Sequence, residues 1–183
     1  MAEGFTVWFT GLPSAGKTTI AELVGPELER RGRKVEYLDG DVVREHLSKG
    51  LGFSKEDRDT NIERIGWVAS RLARHGATVI VSAISPYAET RAKARALVEE
   101  FAPFVEIHVA TSVEECARRD VKGLYAKALA GELPEFTGVS DPYEAPAAPE
   151  LRLDTDELEP EECARLVLAR LEELALVPVE VRA

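Results

Sequence analysis

One run constrains this chain more than any other: Gly11-Leu-Pro-Ser-Ala-Gly-Lys-Thr18, which fits the phosphate-binding pattern G-x-x-x-x-G-K-[ST]. Its setting sharpens it. Phe5-Thr-Val-Trp-Phe-Thr10 is a β-branched and aromatic stretch that predicts a strand. A Gly/Pro-rich turn follows, and then a helix is predicted from about Lys17 to Arg31, closed by Gly32. Between a strand and a helix, glycines let the backbone turn so that successive N–H groups face phosphate oxygens. The helix N-terminus adds partial positive charge. Gly11, Ser14, Ala15, Gly16 and Thr19 are therefore expected to cradle the phosphates of ATP. Lys17 would reach the β- and γ-phosphates, and the Thr18 hydroxyl would ligate Mg²⁺.

The rest of the chain alternates in the same way. Strands are predicted at Val35 to Leu38, Thr78 to Ser82, Phe104 to Val109 and Leu151 to Leu153. Helices are predicted at Lys55 to Arg74, Ala88 to Phe101, Val113 to Arg119 behind a Ser112 cap, and Pro160 to about Leu174. Thr78-Val-Ile-Val-Ser82 is nearly all apolar, as a strand covered on both faces should be. The expected architecture is α/β: five parallel strands with helices on both faces, in a single domain spanning residues 1–183. Residues 120–150 break the rhythm. They hold one helical patch (Leu124 to Ala130), then Gly, Pro, Thr and Asp, with Lys122, Tyr125, Phe136 and Tyr143 among them. A connection that long is usually functional, and it is read as a lid.

Composition narrows the partners. A net charge of −10 excludes broad attraction to nucleic acid or an anionic membrane, so phosphates must be bound by locally gathered groups. No apolar run is long enough to span a membrane, and no export signal is visible, so a cytoplasmic location is expected. Cys116 and Cys163 give neither a disulfide framework nor zinc spacing and are read as buried thiols. His46, His75 and His108 lie too far apart in sequence to suggest a metal site.

Further candidates gather where strands end, since ligands of open parallel sheets collect at the carboxyl ends. Asp39 and Asp41, in Leu38-Asp-Gly-Asp41, could hold Mg²⁺ or accept a proton from an acceptor hydroxyl. A turn followed by a helix capped by Asp41, over Val42 to Leu47, is compatible with either role. Phe53 sits on a loop, where stacking explains an aromatic better than core packing does. Ile84-Ser-Pro-Tyr87 follows the third strand, and Ser85 is either a helix cap or an oxygen ligand.

Taken together these residues resemble the adenylylsulfate kinase family. The resemblance covers Phe9 to about Thr155. It rests on the Thr10 to Thr19 loop, Leu38-Asp-Gly-Asp41 with Arg44, and Gly52-Phe-Ser54 followed by Asp57-Arg58, Asn61 and Arg64-Ile-Gly66. It continues through Ile84-Ser-Pro-Tyr87, Arg119-Asp-Val-Lys-Gly-Leu-Tyr125, Phe136-Thr-Gly138 and Asp141-Pro-Tyr-Glu-Ala-Pro146. The first element is common to many kinases, whereas the last three are particular to this family. The resemblance implies a P-loop kinase fold and transfer of the γ-phosphoryl of ATP, with Mg²⁺, to the 3′-hydroxyl of adenosine 5′-phosphosulfate. It implies that Asp41 acts on that hydroxyl or holds the metal. Arg44, Arg58 and Asn61 would bind phosphosulfate and ribose, with Ile84 and Ser85 also at the acceptor. Phe53 and Phe136 would sandwich the acceptor's adenine, and Lys122 would contact acceptor or phosphates. Arg119 and the Asp141 to Pro146 stretch would lie near the ATP base. Family habit further suggests a homodimer and functional coupling to a separate ATP sulfurylase.

Four positions depart from the family's form. The loop reads Pro13-Ser14 where Ser-Gly is common, which removes one backbone donor. Glu63 stands beside Arg64 in place of an arginine, and Ala88 replaces another, with Arg91 as a candidate substitute. The rival readings are a kinase for a nucleoside, gluconate or similar acceptor, and a nucleotide-binding regulator without catalysis. The first would not need Phe53 and Phe136 both on loops. The second is opposed by Lys17, Thr18, Asp39 and Asp41 all being present. The family labels Ser85 a phosphoserine intermediate. With no histidine obviously placed as its base, Ser85 is expected instead to bind or orient the acceptor.

Overall fold

The structure is a computed structural model and describes residues 3–120 and 122–179. Five strands form one parallel sheet: β1 (Phe5–Thr10), β2 (Val35–Asp39), β3 (Thr78–Ser82), β4 (Phe104–Val109) and β5 (Leu151–Leu153), in the order β2-β3-β1-β4-β5. The central strand β1 pairs with β3 on one side and β4 on the other, Trp8 lying opposite Val81 and Glu106.

Alternation along β1 divides the core. Phe5, Val7 and Phe9 meet Ile20, Val24 and Leu28 of α1 (Lys17–Arg30) and Val167 and Leu171 of α7 (Pro160–Glu173). Trp8 points the other way, into a second core with Ile62, Ile65 and Ala69 of α3 (Lys55–Arg74) and Ala94 and Val98 of α4 (Ala88–Glu99). Each such fully buried large side chain contributes about 1.5–3 kcal/mol, so both faces must be covered for the sheet to persist. α3 and α4 approach closely at Gly66, where a Cβ would come within 2.8 Å of the Ala94 Cβ. Only glycine lets α3 and α4 pack that tightly.

This arrangement creates the crevice. The chain leaves β1 for a helix on one face and leaves the adjacent β3 for a helix on the other, so their loops diverge at the carboxyl edge. The remaining helices, α2 (Gly40–His46), α5 (Val113–Arg119) and α6 (Leu124–Leu129), lie on or beside that edge.

Two expected boundaries are corrected. β2 runs on to Asp39, so α2 starts at Gly40 and its cap is Asp39, which accepts from the N–H groups of Asp41 and Val42. Asp41 is therefore inside the first turn and is not the cap. α4 stops at Glu99, leaving Phe101 partly exposed beneath the guanidinium groups of Arg71 and Arg74.

Candidate active site

A cavity of about 830 Å³ opens along the carboxyl edge of the sheet, at the upper end of the range for small-molecule sites, roughly 300–1,000 Å³. Among the residues expected to bind ATP, acceptor or metal, Ser14, Ala15, Gly16, Lys17, Thr18, Thr19, Asp39, Asp41, Arg44, Phe53, Arg58, Asn61, Ile84, Ser85, Arg119, Lys122 and Phe136 line it, and Gly11 does not. Gly11 acts from behind. A Cβ there would fall 2.5 Å from the Val109 carbonyl oxygen, so glycine allows the loop to cross β4 closely.

The phosphate end is built by α1. Its cap, Gly16, has φ 101°, a conformation open to glycine, and offers no side chain to the first-turn N–H groups. The first turn holds no acidic residue either. Its orphan donors are thus left for an anion. The Ala15 carbonyl accepts from Thr111 Oγ1 at 3.0 Å and Arg119 Nη1 at 3.3 Å, which pins the loop from outside. The Tyr125 hydroxyl donates to the Pro13 carbonyl, so the proline that costs a donor still anchors the turn. Lys17 is 9% exposed and donates to the carbonyls of Gly11 and Leu12 at 3.0 and 2.7 Å. Burial lowers its pKa to about 8. Thr18 Oγ1 donates to Asp39 Oδ2 at 3.0 Å, while Asp39 Oδ1 caps α2.

The opposite end uses β2, β3, α2, α3 and the lid. Asp41 is exposed in the first turn of α2 and pairs with Lys122 of the lid. Arg44 donates to the Gly52 carbonyl and stacks 4.7 Å over the Phe53 ring, which is 61% exposed at the mouth. Asn61 is buried, and its Oδ1 has no hydrogen-bond partner. A buried acceptor left unpaired costs about 1–3 kcal/mol, so a ligand donor is wanted there. Phe136 sits edge-on to Tyr125, centroids 5.0 Å apart. Ser85 is 2% exposed with φ 49°, and its Oγ accepts from the Trp8 indole at 3.0 Å.

Several expectations change. Arg58 lines the cavity, and its donors go to the carbonyls of Phe53 and Glu135 and to Thr137 Oγ1, with Asp141 at 3.5 Å, so it ties the 135–141 segment to α3. Arg64 bonds to the Leu47 carbonyl, away from the cavity. Arg91 does not replace the charge missing at Ala88: it is 3% exposed, outside the cavity, and pairs with Glu106. The Asp141 to Pro146 stretch does not line the cavity. Tyr143 bonds Thr10 and stacks on His108 instead, which ties this segment down behind the strand ends. The wall beside Arg119 is Thr155 to Pro160, after β5, with Arg118. The rule that ligands gather at strand carboxyl ends could have found it. The Trp8 indole carried no local signal.

A family model described as adenylylsulphate kinase matches residues 3–154. The chain belongs to the adenylylsulphate kinase family. It is 57% identical over 175 residues to an adenylyl-sulfate kinase of Chloroflexus aurantiacus, covering 96% of this chain and 92% of that one. A probable bifunctional SAT/APS kinase of Sorangium cellulosum is 55% identical over 176 residues, 96% of this chain but only 30% of that protein. Among solved structures, the Mycobacterium tuberculosis APS kinase in complex with AMPPNP and APS superposes with a TM-score of 0.90 at 45% identity, covering 94% of this chain and 99% of that one.

Proposed function

We propose that this kinase transfers the γ-phosphoryl group of ATP to the 3′-hydroxyl of adenosine 5′-phosphosulfate, yielding 3′-phosphoadenylylsulfate, and that one cavity holds both substrates. The observation that carries this reading is the layout of the cavity along the sheet. The phosphate loop follows the central strand, the Arg118, Arg119 and Thr155 to Pro160 wall lies toward β5, and Asp41, Phe53, Asn61 and Ser85 lie toward β2 and β3. ATP would extend from the loop toward β5, leaving the β2–β3 side for the acceptor.

Transfer needs little from the protein beyond positioning and charge. The 3′-oxygen attacks the γ-phosphorus, the bond to the bridging oxygen of ADP breaks, and the hydroxyl proton passes to the Asp41 carboxylate. That carboxylate pairs with Lys122, whose ammonium is also placed to meet phosphate or sulfate oxygens. Lys17 stabilises negative charge as the leaving group departs. Ser85 orients the acceptor and does not form a phosphoserine: its hydroxyl meets an indole N–H and the Ala83 carbonyl, neither of which is a base. The Thr18 hydroxyl and Asp39 carboxylate, 3.0 Å apart, are hard oxygen donors of the kind that hold Mg²⁺ beside nucleotide phosphates. Bound there, Mg²⁺ would supply charge neutralisation on the phosphates.

The chain acts as one kinase domain in the cytoplasm, and no described helix is long and apolar enough to cross a membrane. Assembly as a homodimer and coupling to an ATP sulfurylase belong to the same reading, the latter supported by the bifunctional relative. Asp41→Asn tests the chemistry. It should lower kcat by about 10² or more. Asp39 remains as cap, so stability should change by less than about 1 kcal/mol. Retention of wild-type kcat would remove Asp41 from the reaction.

A further inference from the structure

We infer that Arg91 is a positioning residue for the acceptor, holding the Ser85 loop in its binding conformation and tying that loop to the segment returning from the lid. The inference rests on the acceptor reading above. Three observations carry it.

The first is the loop itself. Ser85 has φ 49°, a left-handed conformation unfavourable for a side chain other than glycine. Such a conformation persists only when its surroundings over-determine it. Here they do. Arg91 Nη1 donates to the Ser85 carbonyl at 2.6 Å, Trp8 Nε1 donates to Ser85 Oγ at 3.0 Å, and Thr10 Oγ1 donates to the Ile84 carbonyl at 2.7 Å.

The second is the use made of the guanidinium. Nε donates to Glu106 at 3.0 Å, Nη1 to Ser85, and Nη2 to the Glu144 carbonyl at 2.6 Å. Arg91 and Glu106 are 3% and 8% exposed. A buried ion pair is weak evidence for stability, since apolar residues of the same volume often serve as well. What apolar residues cannot do is address three acceptors in fixed directions from one plane. Lysine keeps the charge and loses that fork.

The third is the bond pattern between two distant segments. Glu144 N–H donates to the Pro86 carbonyl at 2.8 Å, and Glu144 Oε2 accepts from the Ala88 N–H at 2.7 Å, at the start of α4. With the Arg91 bond to Glu144, the segment returning from the lid and the Ser85 loop form one unit. Arg91 does not line the cavity, so any effect on the acceptor passes through Ile84, Ser85 and Pro86, which do. These sit at the end of β3, on the acceptor side of the phosphate loop.

The test uses Arg91→Lys and Trp8→Phe in the full chain, with two readouts. In steady-state kinetics, Arg91→Lys should raise KM for adenosine 5′-phosphosulfate by roughly tenfold, while KM for ATP stays within about twofold. Trp8→Phe, which removes the donor to Ser85 Oγ along with some buried ring volume, should shift the same constant in the same direction. Hydrogen exchange without substrates should show faster exchange across Ile84 to Ala88 in Arg91→Lys, with the P-loop unchanged. Equal rises in both KM values, or an unchanged acceptor KM in a folded variant, overturn the inference. If Arg91→Lys does not fold, an unchanged acceptor KM in Trp8→Phe overturns it alone. The exchange readout needs no acceptor: unchanged exchange refutes the positioning role, whereas absence of wild-type turnover refutes the substrate reading.

Discussion

Burial leaves Lys17 with a pKa of about 8, well below the ordinary lysine value of 10.5. Nucleotide phosphates beside Nζ should reverse this, because anions favour the charged amine. At about pH 8.5 only about a quarter of Lys17 is charged in the free chain, and binding should complete its protonation, an uptake of about 0.75 proton per ATP. At about pH 6.5 the amine is already charged, so uptake through this group should be close to zero. Titration calorimetry with MgATP in two buffers of different ionisation enthalpy measures the difference directly. Lys17→Met should abolish uptake at the higher pH and lower kcat by several orders of magnitude. Folding obeys the same linkage. Between about pH 8 and 10.5 the unfolded chain holds more proton at this site than the folded one, so its contribution to stability improves as pH rises. Absence of uptake in the wild type at about pH 8.5, or equal uptake in Lys17→Met, would refute the placement of Lys17 against the phosphates.

Phe136→Ala should raise KM for adenosine 5′-phosphosulfate by roughly 5- to 150-fold, the loss of about 1–3 kcal/mol of base stacking, and leave KM for ATP nearly unchanged. Equal effects on both substrates would contradict the proposed sandwich. Gly66→Ala should destabilise the chain, because the new Cβ would sit 2.8 Å from the Ala94 Cβ and 2.9 Å from its Cα. Overpacking costs about 1–3 kcal/mol and alanine's helix propensity returns about 1, so the net loss should lower Tm by a few degrees. A raised Tm in thermal unfolding would show that α3 and α4 can part without cost.

Much of this was legible in the sequence, for identifiable reasons. The phosphate loop depends on local spacing alone, so Lys17, Thr18 and their strand–turn–helix setting could be read directly. Asp39 and Asp41 were placed at a strand end, but which one caps α2 turns on a single residue of strand length, and that depends on pairing between Asp39 and Ser82. The contacts of Arg58 and Arg91 could not be read locally, because an arginine's role follows from what it is buried against. Their partners Thr137 and Glu106 lie 79 and 15 residues away in sequence. The Asp141 to Pro146 stretch was misplaced for a similar reason. Its anchor, the contact of Tyr143 with Thr10, joins residues 133 apart. Asn61 was picked out by resemblance, while its unpaired Oδ1 could be found only in three dimensions.

The central claim is the identity of the acceptor, and one coupled assay reaches it: ADP release from MgATP with adenosine 5′-phosphosulfate, gluconate or nucleosides supplied in parallel. The site described here, with Asn61 Oδ1 unpaired beside Phe53, Ser85 and Asp41, predicts rapid turnover with adenosine 5′-phosphosulfate, a product carrying its new phosphate on the 3′-oxygen, and only background release with the others. Turnover on gluconate or a nucleoside, with none on adenosine 5′-phosphosulfate, would contradict it.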